Sequence, residues 1–279
     1  MHETKEFQDI KKYIEEKSGI MFNDYNVHLL ESQITKMLKK LKMHRMEELH
    51  IKLCVYKDVE TLQHLIDAIT TNETFWFRDK ALWDMLEQRF IPMLIQKRRE
   101  YPSRKIRLWS AACSYGQEPY SLAMCIVKYL KQRAVTDISL QDFEILATDI
   151  SSSALAIARS GIYDSISVSR GLSEIDKQVF FTPLGDQWQL KEEIRRAVTL
   201  QQFNLLESDY RFEPFDVILF KNVMIYFSET MKKELYLKIS KVLDHQGVLF
   251  IGSSELLDDN RQLFVREQYL DGIYFVKKT

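Results

Sequence analysis

Four short polar clusters each stand directly behind a run that reads as a strand. Cys113-Ser-Tyr-Gly-Gln-Glu118 follows Ile106–Ala111, and Thr148-Asp149 follows Phe143–Ala147. Asn204-Leu205 follows Val198–Phe203, and Lys221-Asn222-Val223 follows Phe215–Phe220. If those runs are strands of an open parallel sheet, the clusters sit beyond its carboxyl ends, where such sheets bind ligands. Gly116 permits a tight turn and close backbone approach. It is a single glycine, so the loop is not G-x-G-x-x-G, and a pyrophosphate would need several exposed amides at a helix N-terminus. A ligand without phosphate has no such need. S-adenosylmethionine is one, and its sulfonium and ammonium groups favour a nearby carboxylate such as Glu118. Asp149 is placed to accept both ribose hydroxyls, or else simply to help cap a helix begun by Ser151. Asn204 and Asn222 each offer donor and acceptor to an adenine edge, though singly such residues more often cap loops.

The elements that must carry these clusters follow from periodicity. Up to about Thr71 every readable segment is helical. Phe7, Ile10, Tyr13 and Ile14 recur at helical spacing and Gly19 is a stop. Asn23 or Asp24 can cap a second helix bearing Leu30, Ile34, Met37, Leu38 and Leu41. Further helices are predicted near Met46–Tyr56 and Val59–Ile69. After the aromatic stretch Thr70-Thr-Asn-Glu-Thr-Phe-Trp-Phe-Arg78, a helix from about Lys80 to Arg99 contains Pro92, which predicts a kink. From Arg104 apolar strands alternate with helices, which predicts a mostly parallel sheet buried on both faces. His245-Gln-Gly247 is expected to close the helix capped by Ser228. Phe264–Gln268 and Ile273–Lys277 read as a terminal strand pair, and 162–197 as a small antiparallel insertion.

The formal net charge of -1 gives no global attraction to nucleic acid or acidic membranes. Cys54, Cys113 and Cys125 form no C-x-x-C pair, and no H-E-x-x-H is present, so neither a disulfide framework nor a metal site is expected. No apolar run approaches a membrane span and the first residues carry no signal-like core, so a cytoplasmic protein, not inserted in a membrane, is expected. Nothing demands more than a monomer.

Thr71-Asn-Glu-Thr-Phe-Trp-Phe-Arg78, Trp109-Ser-Ala-Ala-Cys-Ser-Tyr-Gly-Gln-Glu-Pro-Tyr-Ser-Leu-Ala-Met124, Ala158-Arg-Ser-Gly-Ile-Tyr163 and Lys221-Asn-Val-Met-Ile-Tyr-Phe227 together resemble the CheR family of chemotaxis receptor methyltransferases. The resemblance covers nearly the whole chain. It implies a helical domain at 1–71 that contacts receptor. It also implies an α/β domain at 72–279 with a Rossmann-like S-adenosylmethionine methyltransferase sheet and the β insertion. The implied activity is protein-glutamate O-methylation, moving the methyl of S-adenosylmethionine onto glutamates of chemoreceptor cytoplasmic helices. Carried onto this chain, the family's cofactor residues are Asn72, Thr74, Arg78, Glu118, Asp149, Asn204, Leu205, Phe220 and Lys221, and its motif tyrosine is Tyr226. Two departures stand out. Lys221 replaces the family's usual arginine, keeping charge but losing the planar fork. Tyr115-Gly-Gln-Glu-Pro replaces the more frequent Thr-Gly-Glu-Glu-Pro.

On this reading a substrate carboxylate, already ionised at neutral pH, needs no strong general base, so alignment and water exclusion carry the catalysis. Arg78 is expected to orient that carboxylate and Tyr226 to donate a hydrogen bond near the reacting centre. The competing expectations are a salt bridge from Arg78 to Asp79 or Glu73, and a Tyr226 packed beneath the sheet. Lys36, Lys39 and Lys40, with Lys42, His44 and Arg45, form a basic strip suited to an acidic receptor bundle, or a solvated helix face. The short Pro183-Leu-Gly-Asp186 turn predicts independence from the receptor-tail tether that some family members use. Two other functions remain in view: a methyltransferase for another substrate, and a cofactor-binding regulator without turnover.

Overall fold

The computed structural model describes residues 4–253, 255, 257 and 262–278. The helical segment comprises α1 (Lys5–Ser18), α2 (Val27–Lys40), α3 (Met46–His50) and α4 (Val59–Ile69). The Thr4 hydroxyl caps α1, and Gly19 ends it with φ 76°. α2 starts later than predicted. The carboxamide of Asn23 closes a turn onto the Tyr25 amide, and that of Asn26 accepts from Asn23, so neither Asn23 nor Asp24 caps the helix. Phe7, Ile10, Ile14, Leu30, Ile34, Leu49, Leu53 and Leu65 are fully buried against one another. Each contributes about 1.5–3 kcal/mol relative to exposure.

The predicted helix 80–99 is continuous but not uniform: α5 (Lys80–Met85), a π turn at Leu86–Phe90, and α6 (Ile91–Glu100). The Ile91 amide donates to the Leu86 carbonyl, five residues back. Pro92 is thus accommodated by a widened turn, which relieves its clash with the preceding turn.

The remaining elements, in order, are β1 (Ile106–Ala111), α7 (Gln117–Gln132), β2 (Phe143–Asp149), α8 (Ser152–Ser160), β3 (Ile162–Asp164), α9 (Ser165–Ser169) and α10 (Glu174–Phe180). Then come β4 (Phe181–Leu184), β5 (Gln187–Leu190), α11 (Glu192–Arg196), β6 (Val198–Gln202), β7 (Phe215–Phe220), α12 (Glu229–Val242), β8 (Leu243–Ile251), β9 (Phe264–Tyr269) and β10 (Gly272–Lys277). The seven-stranded sheet has order β6-β2-β1-β7-β8-β10-β9. It is parallel except where β10 pairs with β8 and β9. β3-β5-β4 form a separate antiparallel sheet, the predicted insertion, which also holds three short helices. This is the Rossmann-like methyltransferase architecture expected, preceded by an all-helical segment.

Alternate side chains of the central strands enter opposite layers. Leu108, Val217 and Leu219 face α6 and α7, whereas Trp109, Ile218 and Phe220 face α12. One predicted boundary is corrected: His245-Gln-Gly247 lies inside β8 and does not close α12. The register against β7 slips between Phe215 and Val217 at this point. A Cβ on Gly247 would come 2.8 Å from the Phe215 carbonyl oxygen, so glycine allows this close approach. The chain leaves β1 for β2 on one side and returns to β7 on the other, which opens a crevice between the carboxyl ends of β1 and β7.

Candidate active site

A cavity of about 460 Å³ occupies that crevice. Its floor is the carboxyl edge of the sheet, one wall is the segment Thr70–Phe75 with Arg78, and the other comes from the α1–α2 connection through Ser18, Ile20 and Phe22. The helical segment is fastened there by main-chain bonds. Met21 donates to the Tyr226 carbonyl at 3.0 Å, and the Asn204 carboxamide donates to the Lys17 carbonyl at 2.7 Å.

Asn72, Thr74, Arg78, Glu118, Asp149, Asn204, Leu205, Lys221 and Tyr226 all line this cavity. Phe220 does not. Its side chain is fully enclosed in the α12 layer, edge-on to Tyr236 at 6.2 Å. Lys36, Lys39 and Lys40 lie elsewhere, exposed on α2, whose first turn reaches the cavity through Leu29.

Glu118 sits in the first turn of α7, and its Oε1 accepts from the Ser110 hydroxyl at 2.7 Å. Burial pushes its carboxyl above the ordinary value, opposed by Lys221, the Ser110 hydroxyl and Arg78. Asp149, at the end of β2, accepts from the Ser114 amide (2.7 Å) and the Ser151 amide (2.8 Å). Burial raises this carboxyl too, against the pull of those amides. Asp149 therefore does part of what the capping alternative expected, while also lining the cavity. The same holds for Asn204, whose Oδ1 accepts from the Leu206 amide at 2.9 Å.

Arg78 makes neither of the salt bridges that its sequence neighbours suggest. Glu73 pairs with Arg170 at 2.8 Å and Asp79 with Lys221 at 2.5 Å. The Arg78 guanidinium donates to the Glu73 carbonyl at 3.1 Å and lies 5.6 Å over the Phe75 ring. No described carboxylate pairs with it. Tyr226 is half-buried at the cavity, not packed beneath the sheet.

Several contributors carried no sequence signal. Glu255 lies behind β8 and accepts from the amides of Asn222 (3.0 Å), Val223 (2.9 Å), Met224 (2.8 Å) and Gly252 (2.6 Å). It holds the loop after β7 in shape. An acid behind the fifth strand could have suggested it by analogy with Asp149. Phe77, Asp79, Ala112, Ser114 and Asn222 take left-handed backbone near the cavity, with φ from 50° to 69°. Of these, Asn222 and Asp79 belong to residue types that favour this region. Nothing in the structure explains Gln117, whose buried Oε1 has no partner. Tyr115 is used through its carbonyl, which accepts from the Tyr163 hydroxyl at 2.8 Å. Among the described residues no cluster of His, Cys, Asp or Glu could hold a metal ion.

The cavity suits a cationic nucleoside. It offers one buried carboxylate, Asp149, and one half-buried, Glu118, and it lacks the row of glycine amides that a pyrophosphate requires. Gly116 has φ 89°, and a Cβ there would press within 2.9 Å of the Tyr120 ring. A mostly parallel sheet of this order, with this crevice and these carboxylates at its switch point, has the architecture of an S-adenosylmethionine-dependent methyltransferase.

Family models narrow that class. Residues 5–70 match the CheR methyltransferase all-alpha domain and residues 72–270 match the CheR methyltransferase SAM binding domain. The chain belongs to the CheR methyltransferase family. It is 34% identical over 274 residues to the chemotaxis protein methyltransferase Cher2 of Pseudomonas putida, covering 98% of each chain. It is also 34% identical to chemotaxis protein methyltransferase 1 of Vibrio cholerae, covering 98% of this chain and 97% of that one. A solved TehB-like SAM-dependent methyltransferase from Corynebacterium glutamicum shares 14% identity, covers 72% of this chain and 100% of its own, and superposes with a TM-score of 0.39.

Proposed function

We propose that this enzyme methylates glutamate side chains on the cytoplasmic helices of chemoreceptors, giving methyl esters. The observation that carries the reading is Arg78. It is a cation at the cavity with no carboxylate of its own among the described residues, because Glu73 and Asp79 are held by other bases. Two carboxylates compete for Arg78, the cofactor's own and the substrate's, and this reading gives it the substrate's. Bound S-adenosylmethionine supplies an electrophilic methyl on a sulfonium, so no general base has to be found on the chain. Glu118 and Asp149 bind the cofactor's cationic and ribose ends. Asn72, Thr74, Asn204 and Leu205 complete its surroundings. Arg78 orients the attacking carboxylate, and Tyr226 donates a hydrogen bond beside the reacting atoms. Phe75, Trp83 and Phe203 wall the cavity and limit water.

The receptor is met by α2. Lys36, Lys39 and Lys40 are exposed and pair with no described carboxylate. They stand about 10–16 Å along the helix from Leu29 at the cavity, by the helical rise per residue. An acidic helical bundle is complementary to that strip. We read residues 1–71 as the receptor-contact domain and 72–279 as the methyltransferase domain, acting as a cytoplasmic monomer. The turn between β4 and β5 is short and open around Gly185, which favours independence from a receptor-tail tether. Among the described residues no helix is long and apolar enough to cross a membrane.

The test is incubation with labelled S-adenosylmethionine and chemoreceptor membranes. Alkali-labile label on receptor supports the ester-forming reaction. Label on another acceptor, or cofactor binding without transfer, refutes it.

A further inference from the structure

The segment that carries Asn72, Thr74 and Arg78 is gripped by the β insertion. The Trp76 amide donates to the Arg170 carbonyl at 3.2 Å. The Trp76 ring is fully buried, edge-on to Tyr163 at 5.0 Å and Phe181 at 5.2 Å, both from the insertion. Arg170 pairs with Glu73 at 2.8 Å and lies 4.6 Å over the Phe75 ring. Gly171, between α9 and α10, has φ 101°, and a Cβ there would fall 1.9 Å from the Trp76 carbonyl oxygen. That is a backbone atom, so the segment itself would have to move. The insertion also holds the loop behind β1, since the Tyr163 hydroxyl donates to the Tyr115 carbonyl there.

We propose that the Arg170-Gly171 turn is a positioning device for methyl transfer, setting Asn72–Arg78 against the cofactor loop without touching cofactor or substrate. The proposal rests on the role given above to Arg78. The two halves of the turn contribute unequally. The Glu73–Arg170 pair has both side chains more than half exposed, 64% and 53%, so it holds little by itself. The main-chain bond and the space that Gly171 leaves for Trp76 set the position. A displacement of about 1 Å in such a segment costs on the order of 100-fold in rate.

Three variants of the full chain test this: Gly171→Ala, Trp76→Phe and Arg170→Ala. Each is measured for kcat and KM on chemoreceptor membranes, for S-adenosylhomocysteine affinity by calorimetry, for thermal midpoint, and for amide exchange of the peptide spanning 70–80. Gly171→Ala is expected to lower kcat by roughly 100-fold. Its KM should stay within about threefold, and its product affinity, which draws on Asn72 and Thr74, should fall by less than kcat does, with faster exchange confined to 70–80. Arg170→Ala is expected to lower kcat by less than about fivefold. If Gly171→Ala does not fold, Trp76→Phe carries the test. The Trp76 Nε1 has no hydrogen-bond partner, so that variant loosens packing without removing a bond, and about a tenfold loss of kcat is expected from a smaller displacement. Wild-type kcat and exchange in whichever of the two folds overturns the proposal. So does a loss in which kcat, product affinity and thermal midpoint fall together, which marks a general structural role. If the wild type fails to label receptors, the functional reading fails, but exchange at 70–80 still decides whether the turn positions the segment.

Discussion

Lys221→Met removes the cation between the active-site segment and the sheet, and it should change two quantities at once. The Lys221 side chain is 4% exposed and its Nζ lies 2.5 Å from Asp79 Oδ2. Removing one partner of a fully buried pair costs about 3–5 kcal/mol. Asp79 keeps 32% exposure, so water can reach the orphaned carboxylate and the cost falls to about 1–3 kcal/mol. In a chain of 279 residues that lowers the thermal midpoint by about 2–5 °C, from the unfolding entropy per residue. The second quantity is the charge on Glu118. Burial raises this carboxyl, and Lys221 is the first of the groups that oppose the rise. Without Lys221 the carboxyl climbs further. A cationic cofactor needs Glu118 ionised, so its affinity is full above the Glu118 pKa and is lost as pH falls through it. The wild type should lose affinity at a pH above the ordinary glutamate range, and the variant at a higher pH still. Linkage gives the apo protein the opposite trend. A raised carboxyl contributes stability that is full below its unfolded pKa and is lost as pH rises through the folded-state pKa. Scanning calorimetry gives the midpoint, and titration with S-adenosylmethionine across pH gives the affinity profile, with Glu118→Gln as the flat control. An unchanged melting midpoint together with an unchanged pH midpoint would refute the reasoning.

Arg78→Ala should lower kcat/KM at least tenfold, and by on the order of 100-fold if orientation is its whole contribution; near-normal turnover with unchanged cofactor affinity would remove its role. Joint replacement of Lys36, Lys39 and Lys40 by alanine should raise the apparent KM for receptor and flatten its salt dependence. Its thermal midpoint should hold, since all three are exposed; a wild-type KM and salt slope would leave α2 a solvated face. Glu255→Gln puts an amide NH2 among four backbone donors and should cost about 2–3 kcal/mol in urea unfolding, with turnover reduced because the loop to Tyr226 loosens.

The fold was legible where local signals agree with burial. β7, apolar but for Asp216, lies buried on both faces as read, and Gly19, Ser151 and Ser228 sit at the predicted helix ends. The misses have local causes. Asn23 has a carboxamide able to cap, but a nearer amide claimed it. His245-Gln-Gly247 has the composition of a helix stop, yet the glycine serves a close approach within a strand. At Pro92 the pattern marks a break in the regular helix, but not its form, a π turn at Leu86–Phe90.

The candidate site was legible as residue types at strand ends, because a strand end is a position that a pattern can mark. What each lone pair does is not marked. Asp149 and Asn204 line the cavity and also bond loop amides, so the functional and capping readings are not exclusive. Arg78 shows the limit most clearly. Its neighbours in sequence are acids, and a local reading pairs them with it. The fold sends Glu73 to Arg170 of the insertion and Asp79 to Lys221 at the end of β7. Both bases lie far along the chain, and one of them is the residue that departs from the family's usual arginine. Lys221 is a single-point donor, and its ammonium goes to Asp79. Arg78 is thereby left at the cavity with no carboxylate partner among the described residues, through two ion pairs that only the tertiary structure forms, and the proposed substrate role requires that unpaired cation.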